Sequence, residues 1–251
     1  MENKAIIGRF INMKRIYCMQ SPATHHPFVE YSEKNEGEQV MIFGDRDEAE
    51  HFVQIYQARH YATELRVIEQ KQYKDFYTEL GYIGVDTIVF MEGEDENVVP
   101  LTDVIKIELK DVGNPDLPRL NELVQLTMIY YLEEYTRPGL NKDDPDRKEK
   151  IADLREEMEA NLKRSKFILP MIQTKAGSGV MMLKNSKNEN LQPVFTDVRE
   201  LQIFLQNNKV PKVGMMLASF DDLKKAIMDD AKAFVVNPSG VNMILPRSVI
   251  Q

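Results

Sequence analysis

The chain has 251 residues and a mass of 29.1 kDa, enough for one large domain or two of ordinary size. Hydrophobic residues make up 43% and charged residues 29%, which fits a packed core beneath a solvated surface and excludes a fibrous or disordered chain. A formal net charge of −8 sets the surface against phosphate backbones and anionic lipid, so neither nucleic acid nor membrane is expected as a partner.

Cys18 is the single cysteine, so no intramolecular disulfide can form, and within Ile16-Tyr17-Cys18-Met19 it reads as a buried, inert thiol. No stretch approaches the roughly 18 apolar residues of a membrane span. The N-terminal segment is too often interrupted by charge for a signal-peptide core. The expected compartment is the cytoplasm.

In chain order, Ile6, Ile7, Phe10, Ile11 and Met13 recur at helical spacing and predict a helix over 4–14, with Asn3 as its cap. A strand follows at 15–19, then a solvated polar turn with His25 and His26. Strands are expected at 28–31 and 40–43. Asp45 then caps a helix, with Glu48 three residues on in a capping-box pattern, and Ala49, Phe52, Val53 and Tyr56 form the inward stripe. A strand at 62–68, a helix at 70–80 with Phe76 and Leu80 inward, and a β-branched strand at 86–90 complete this run. The acidic turn 92–97 leads to a return strand at 98–99, which 101–107 continues.

Residues 111–115 read as a linker. Asp116 caps the next helix, with Pro118 in its first turn, and the helix runs from 117 to about 135. Its apolar arc (Leu120, Leu123, Val124, Leu126, Met128, Ile129) is wide and requires a cover, either from a neighbouring domain or from a second copy in a homodimer through 117–135. After Arg137-Pro138-Gly139, a helix is expected at 147–163 and a strand at 166–169. Gly177-Ser178-Gly179 reads as a turn before a strand at 180–183. A strand at 193–195 leads to a helix begun by Asp197. A strand at 213–217, a helix at 220–228, a strand at 233–236, a tight turn at Asn237-Pro238-Ser239-Gly240 and a return at 243–245 close the chain.

The second half echoes the first. At one constant offset Phe43, Asp45, Glu48, Phe52 and Gln54 fall on Phe195, Asp197, Glu200, Phe204 and Gln206. The order and spacing of the remaining elements agree as well, with shifts falling in loops. The expected organisation is an α+β protein of two tandem related domains, each a small mixed β-sheet flanked by helices. The divisions are 1–110, a helical linker at 111–147, and 148–251.

Three stretches carry a resemblance to a known family. Leu162-Lys163-Arg164-Ser165-Lys166-Phe167-Ile168-Leu169-Pro170 is a helix-to-strand passage, and Pro193-Val194-Phe195-Thr196-Asp197 precedes a helix. Ala233-Phe234-Val235-Val236-Asn237-Pro238, followed by Leu245-Pro246, is a closing hairpin. Together they resemble the N-terminal domain of the SseB (enhanced serine sensitivity) family over residues 150–251. The first half has a worn copy, with Gly44 in place of Thr196 and Met91-Glu92-Gly93-Glu94 in place of Asn237-Pro238-Ser239-Gly240. The resemblance implies the fold and brings no catalytic residues.

The residues themselves assign no chemistry. His25-His26 lacks further ligands at metal spacing from His51 and His60. Gly177-Ser178-Gly179 lacks the lysine of a phosphate loop, and no nucleophile elbow or paired Cys motif is present. No catalytic residue, cofactor or metal is therefore expected. Asp197, Asn237, Pro238, Ser239 and Gly240 form a possible binding rim, and helix capping explains Asp45 and Asp197 without a substrate. Of the 14 methionines, Met181-Met182 and Met215-Met216 fall in strands and suit either core packing or a protein-binding face. The expected function is a non-enzymatic interaction or regulatory module of SseB type with a protein partner. The alternative is a small-ligand-binding protein or an enzyme with an unrecognised site between the repeats.

Overall fold

A computed structural model of the chain describes residues 2–107, 115–141, 143–174, 177–210 and 213–250. The chain is α+β, with mixed sheets flanked by helices. It divides into two compact units, Met1–Glu108 with Leu132–Glu149, and Leu109–Tyr131 with Lys150–Gln251. The expected linker at 111–147 is therefore shared out between the units; its residues 111–114 and 142 lie outside the described residues.

The first unit contains α1 (Glu2–Ile11), β1 (Arg15–Gln20), β2 (Glu30–Ser32), β3 (Gly37–Phe43), α2 (Arg46–Ala58), β4 (Glu64–Glu69), α3 (Tyr73–Tyr82), β5 (Thr87–Glu92), β6 (Asp95–Pro100) and α4 (Leu101–Val104). Its sheet has the order β4-β1-β3-β5-β6, with β2 added on β3. Only β3 and β5 run parallel; the other pairs are antiparallel. Successive residues of a strand face opposite sides. Tyr17, Phe43, Val89 and Met91 accordingly pack with Ala49 of α2 on one face. On the other face Phe90 meets Phe10 of α1 at 5.4 Å between ring centroids, and Phe10 meets Tyr77 of α3 at 6.1 Å.

The second unit contains most of α5 (Glu122–Thr136) and α6 (Pro145–Arg164), then β7 (Lys166–Thr174), β8 (Gly177–Val180), β9 (Leu183–Lys184), β10 (Asn190–Val194), α7 (Val198–Asn207), β11 (Gly214–Ser219), α8 (Phe220–Ala226), β12 (Ala231–Val236), β13 (Met243–Pro246) and α9 (Arg247–Ile250). The strands form two sheets, β11-β7-β8 and β13-β12-β10-β9. A single antiparallel bridge joins them, with Ile168 and Phe195 exchanging both backbone hydrogen bonds at 2.8 and 3.0 Å. Counting that bridge, the order β11-β7-β10-β12-β13 matches that of the first unit, with its parallel pair, β10 and β12, in the corresponding place. Phe195, Val198, Leu201 and Phe204 pack with Ile168 and Leu117 as the core beneath α7.

Several elements depart from the sequence reading for identifiable reasons. Residues 101–104 form α4 instead of prolonging the strand, because Pro100 offers no further N–H to the ladder and starts a helix well. The helix expected from residue 117 begins at Glu122, with Asn121 accepting the first backbone bond from Gln125 at 3.1 Å. Leu117 is drawn instead into the core beneath α7, and the Pro118 carbonyl accepts from Val198 N–H at 3.0 Å, so tertiary packing overrides the Asp116 signal. Gly177-Ser178-Gly179 belongs to β8, paired with β7, and is not a free turn.

Candidate functional site

The N-terminus of α7 gathers the most elaborate polar cluster of the second unit. Asp197 caps the helix, its Oδ1 accepting from Glu200 N–H at 3.0 Å. Its Oδ2 accepts from the Thr196 hydroxyl at 2.9 Å and from Gln125 Nε2 at 3.2 Å, and the same amide nitrogen donates to Glu200 Oε1 at 3.4 Å. Asn237, at the end of β12, donates from Nδ2 to Thr196 Oγ1 at 2.8 Å and to Gln125 Oε1 at 3.2 Å. Its Oδ1 accepts from Thr196 N–H at 3.0 Å. One carboxamide, that of Gln125 on α5, is thus held by three side chains from α7 and β12.

This cluster is closed. Asp197 and Asn237 are 0% exposed and Gln125 and Thr196 are buried with them, so the two ends of the expected rim face inward as it stands. Pro238 and Ser239 are half-buried and Gly240 is buried. The turn they form has its expected hydrogen bond, Gly240 N–H to Asn237 O at 2.9 Å. Asn237 takes a left-handed φ of +48°, a conformation Asn tolerates better than most residues. Burial raises the Asp197 carboxyl above its ordinary value, opposed by the Glu200 backbone and Thr196 hydroxyl hydrogen bonds.

In the first unit the corresponding cap is present without the network. Asp45 Oδ1 accepts from Glu48 N–H at 3.0 Å, and the ring pair Phe43 and Phe52 at 5.0 Å matches Phe195 and Phe204 at 5.3 Å. The reciprocal half of the expected capping box is not made, and Glu48 Oε1 is buried without a hydrogen-bond partner among the described residues. Gly44 stands where Thr196 does, and a Cβ there would meet the Met13 side chain at 2.9 Å.

The chemistry-bearing cluster of the first unit lies elsewhere, on the α3 face of the sheet. Arg66 on β4 grips Glu79 of α3 with both terminal nitrogens, at 3.2 and 2.8 Å, and His26 Nδ1 lies 3.0 Å from Glu79 Oε1. His26 is buried, which corrects the expectation of a solvated turn; of the two histidines His25, at φ +60°, is the exposed one. Burial would raise Glu79, but the His26 and Arg66 hydrogen bonds outweigh it and hold the carboxyl at about 2. Cys18 lies on the same face, and burial pushes its thiol up to about 12, consistent with an unreactive sulfur.

Sequence reasoning missed Gln125, Arg66 and Glu79. Asn237 and Gln125 are 112 residues apart, and no local pattern marks either as a partner of the other. Among the described residues no group of three His, Cys, Asp or Glu side chains is arranged to hold a metal ion. None of the described helices is long and apolar enough to cross a membrane.

No protein-family model matches the chain. No curated protein matches it either. Among solved structures, Tic22 from Plasmodium falciparum is similar at 14% identity and a TM-score of 0.22, over 98% of this chain and 93% of that one. A Tic22 from Anabaena, described as a protein-transport protein, is similar at 12% identity and a TM-score of 0.22, over 94% and 92%. At that TM-score the likeness supports no conclusion about fold or role.

Proposed function

We propose that the chain is a non-enzymatic interaction or regulatory module of SseB type, acting in the cytoplasm through a protein partner. The observation that carries this reading is the edge strand β11. It pairs with β7 on one side in the order β11-β7-β8, and it exposes Met215 at 42% and Met216 at 38%. Natural edge strands are commonly blunted by charge or proline. The edge strand in the matching place of the first unit, β4, carries Glu64 and Glu69, whereas β11 reads Gly-Met-Met-Leu-Ala-Ser with no charge. Exposed methionines adapt to irregular apolar partners. The gathered carboxylates favour the same reading, since Asp45 and Asp197 hold helix starts and Glu79 holds Arg66.

The SseB part of the proposal is supported by the way the three resembling stretches converge in one unit. Ile168 bridges to Phe195, and Thr196 and Asp197 join Asn237 through the buried network. The same proposal treats the two units as copies of one ancestral unit, supported by their common strand order and paired phenylalanines. The homodimer through 117–135 has less to cover than its arc suggests. Val124, Leu126, Met128 and Ile129 are already buried within the chain, while Leu123 and Tyr135 remain 61% and 57% exposed.

The test uses the full chain and a M215D/M216D variant as baits in native lysate. A protein retained by the wild type and lost by the variant, at an unchanged melting temperature, supports the reading. Equal capture by both baits, or no specific capture by the wild type, overturns it.

A further inference from the structure

The end of α5, with the corner that leads into α6, belongs to the first unit as part of Leu132–Glu149. The corner is anchored by two arginines. Arg147 donates to the carbonyls of Leu140, Glu134 and Arg137 at 3.1 Å each. Arg137 donates to the Arg59 carbonyl at 2.7 Å, pairs with Glu134 at 3.2 Å, and lies 3.8 Å over the Tyr61 ring. Glu133, one residue before this anchor, is different. Its Oε1 is buried and accepts no hydrogen bond.

What faces Glu133 explains the difference. Ser21, fully buried in the loop after β1, lies beside the carboxyl. Glu30 on β2 presents a second carboxylate, itself held by the Tyr56 hydroxyl of α2 at 2.7 Å. The charged and titratable groups nearby are committed elsewhere. Arg59 interacts with Glu30 and lies over the Tyr56 ring, and Glu134 is paired with Arg137. The imidazole of His26 is turned to Glu79, and only its backbone carbonyl meets Ser21 N–H, at 2.9 Å. A carboxyl buried beside another carboxyl without its own cation is far better accommodated neutral than ionised.

We infer that Glu133 is a proton-operated latch, which holds the last turn of α5 on the first unit when its carboxyl is protonated and loosens that turn when it ionises. Burial pushes Glu133 up to about 8; the nearby Ser21 hydroxyl opposes the rise and the Glu30 charge adds to it. Burial also raises Glu30, against the Tyr56 hydrogen bond and the Arg59 charge. Once the turn is loosened, the carboxyl returns to its ordinary value of 4.5. Between the two values the docked turn binds more protons than the loosened one. Docking is therefore strongest on the acid side of that window, weakens as pH rises through it, and levels off above about 8.

Amide hydrogen exchange of the full chain, corrected for intrinsic rates, reads the latch directly. Protection of residues 132–136, taken relative to β3, is expected to fall by about fiftyfold between pH 6 and pH 8. In Glu133→Gln, which mimics the protonated carboxyl, protection should stay level. In Glu30→Gln the loss of the neighbouring charge lowers the Glu133 value, so the fall should shrink. A level wild-type profile overturns the latch, as does an undiminished fall in Glu133→Gln. Should that variant fail to fold, a fall in Glu30→Gln as large as the wild type's overturns it.

Discussion

Burying a carboxylate costs several kcal/mol unless counter-charges and hydrogen bonds meet it, and Glu79 is met from two sides. Arg66 offers a bidentate grip and His26 a ring nitrogen, and together they overcome the burial that would otherwise raise the carboxyl. Its folded value of about 2 lies below its ordinary 4.5. The depressed value means that the folded state binds fewer protons than the unfolded state between those pH values. The stability this contributes, about 3 kcal/mol, is fully present above pH 5 and is lost as pH falls toward 2. Glu79→Gln should therefore flatten the acid side of the stability profile. Urea titrations from pH 6 to pH 2.5 would check it, and a variant as acid-sensitive as the wild type would contradict it. Glu133 has the opposite sign, because its value is raised, so its unfavourable effect grows as pH increases.

At the scale of elements, what could be read from the sequence was what depends on neighbours within a turn or two. Both helix starts at Asp45 and Asp197 are visible because a cap and its amide lie three residues apart. The stripe Ala49, Val53 and Tyr56 is visible because burial repeats with the helix. The start of α5 was missed because Leu117 belongs to the core beneath α7, far along the chain, and no local pattern reports that pull. His26 was misplaced for the same reason, since Glu79 is 53 residues away. The α7 site was half legible. Asp197 and Asn237 stood out as polar residues at the ends of apolar runs, but the partner that binds both, Gln125, sits on an apolar helix and looks like any surface glutamine. That network ties α5, α7 and the end of β12 together. Asn237→Ala removes three buried hydrogen bonds and deprives the Thr196 N–H and Gln125 Oε1 of the partner they have in Asn237, a loss of about 3 kcal/mol. Pro238→Ala and Ser239→Ala, at half-buried positions, should each cost less than about 1 kcal/mol. Chemical denaturation of the three variants would show the contrast. Equal losses at all three would mean that the turn, and not the network, holds the elements.

At the scale of the molecule, the first unit has one sheet and the second two, each unit has its own buried phenylalanines, and the chain passes between them three times, after residues 108, 131 and 149. A unit with its own core can unfold as its own cooperative transition. The stabilising clusters are also segregated, with Arg66 and Glu79 in the first unit and Gln125, Asp197 and Asn237 in the second. Differential scanning calorimetry of the full chain is therefore expected to show two transitions that respond to different substitutions. Arg66→Ala leaves Glu79 buried without its main counter-charge, at a cost of about 3 kcal/mol, which for a unit of this size lowers one transition by about 10 °C. Asn237→Ala should lower the other by a similar amount and leave the first unchanged. If both substitutions moved one shared transition, the passages of the chain between the units would have to transmit stability from one core to the other. The segregation of the two clusters would then be a feature of geometry alone.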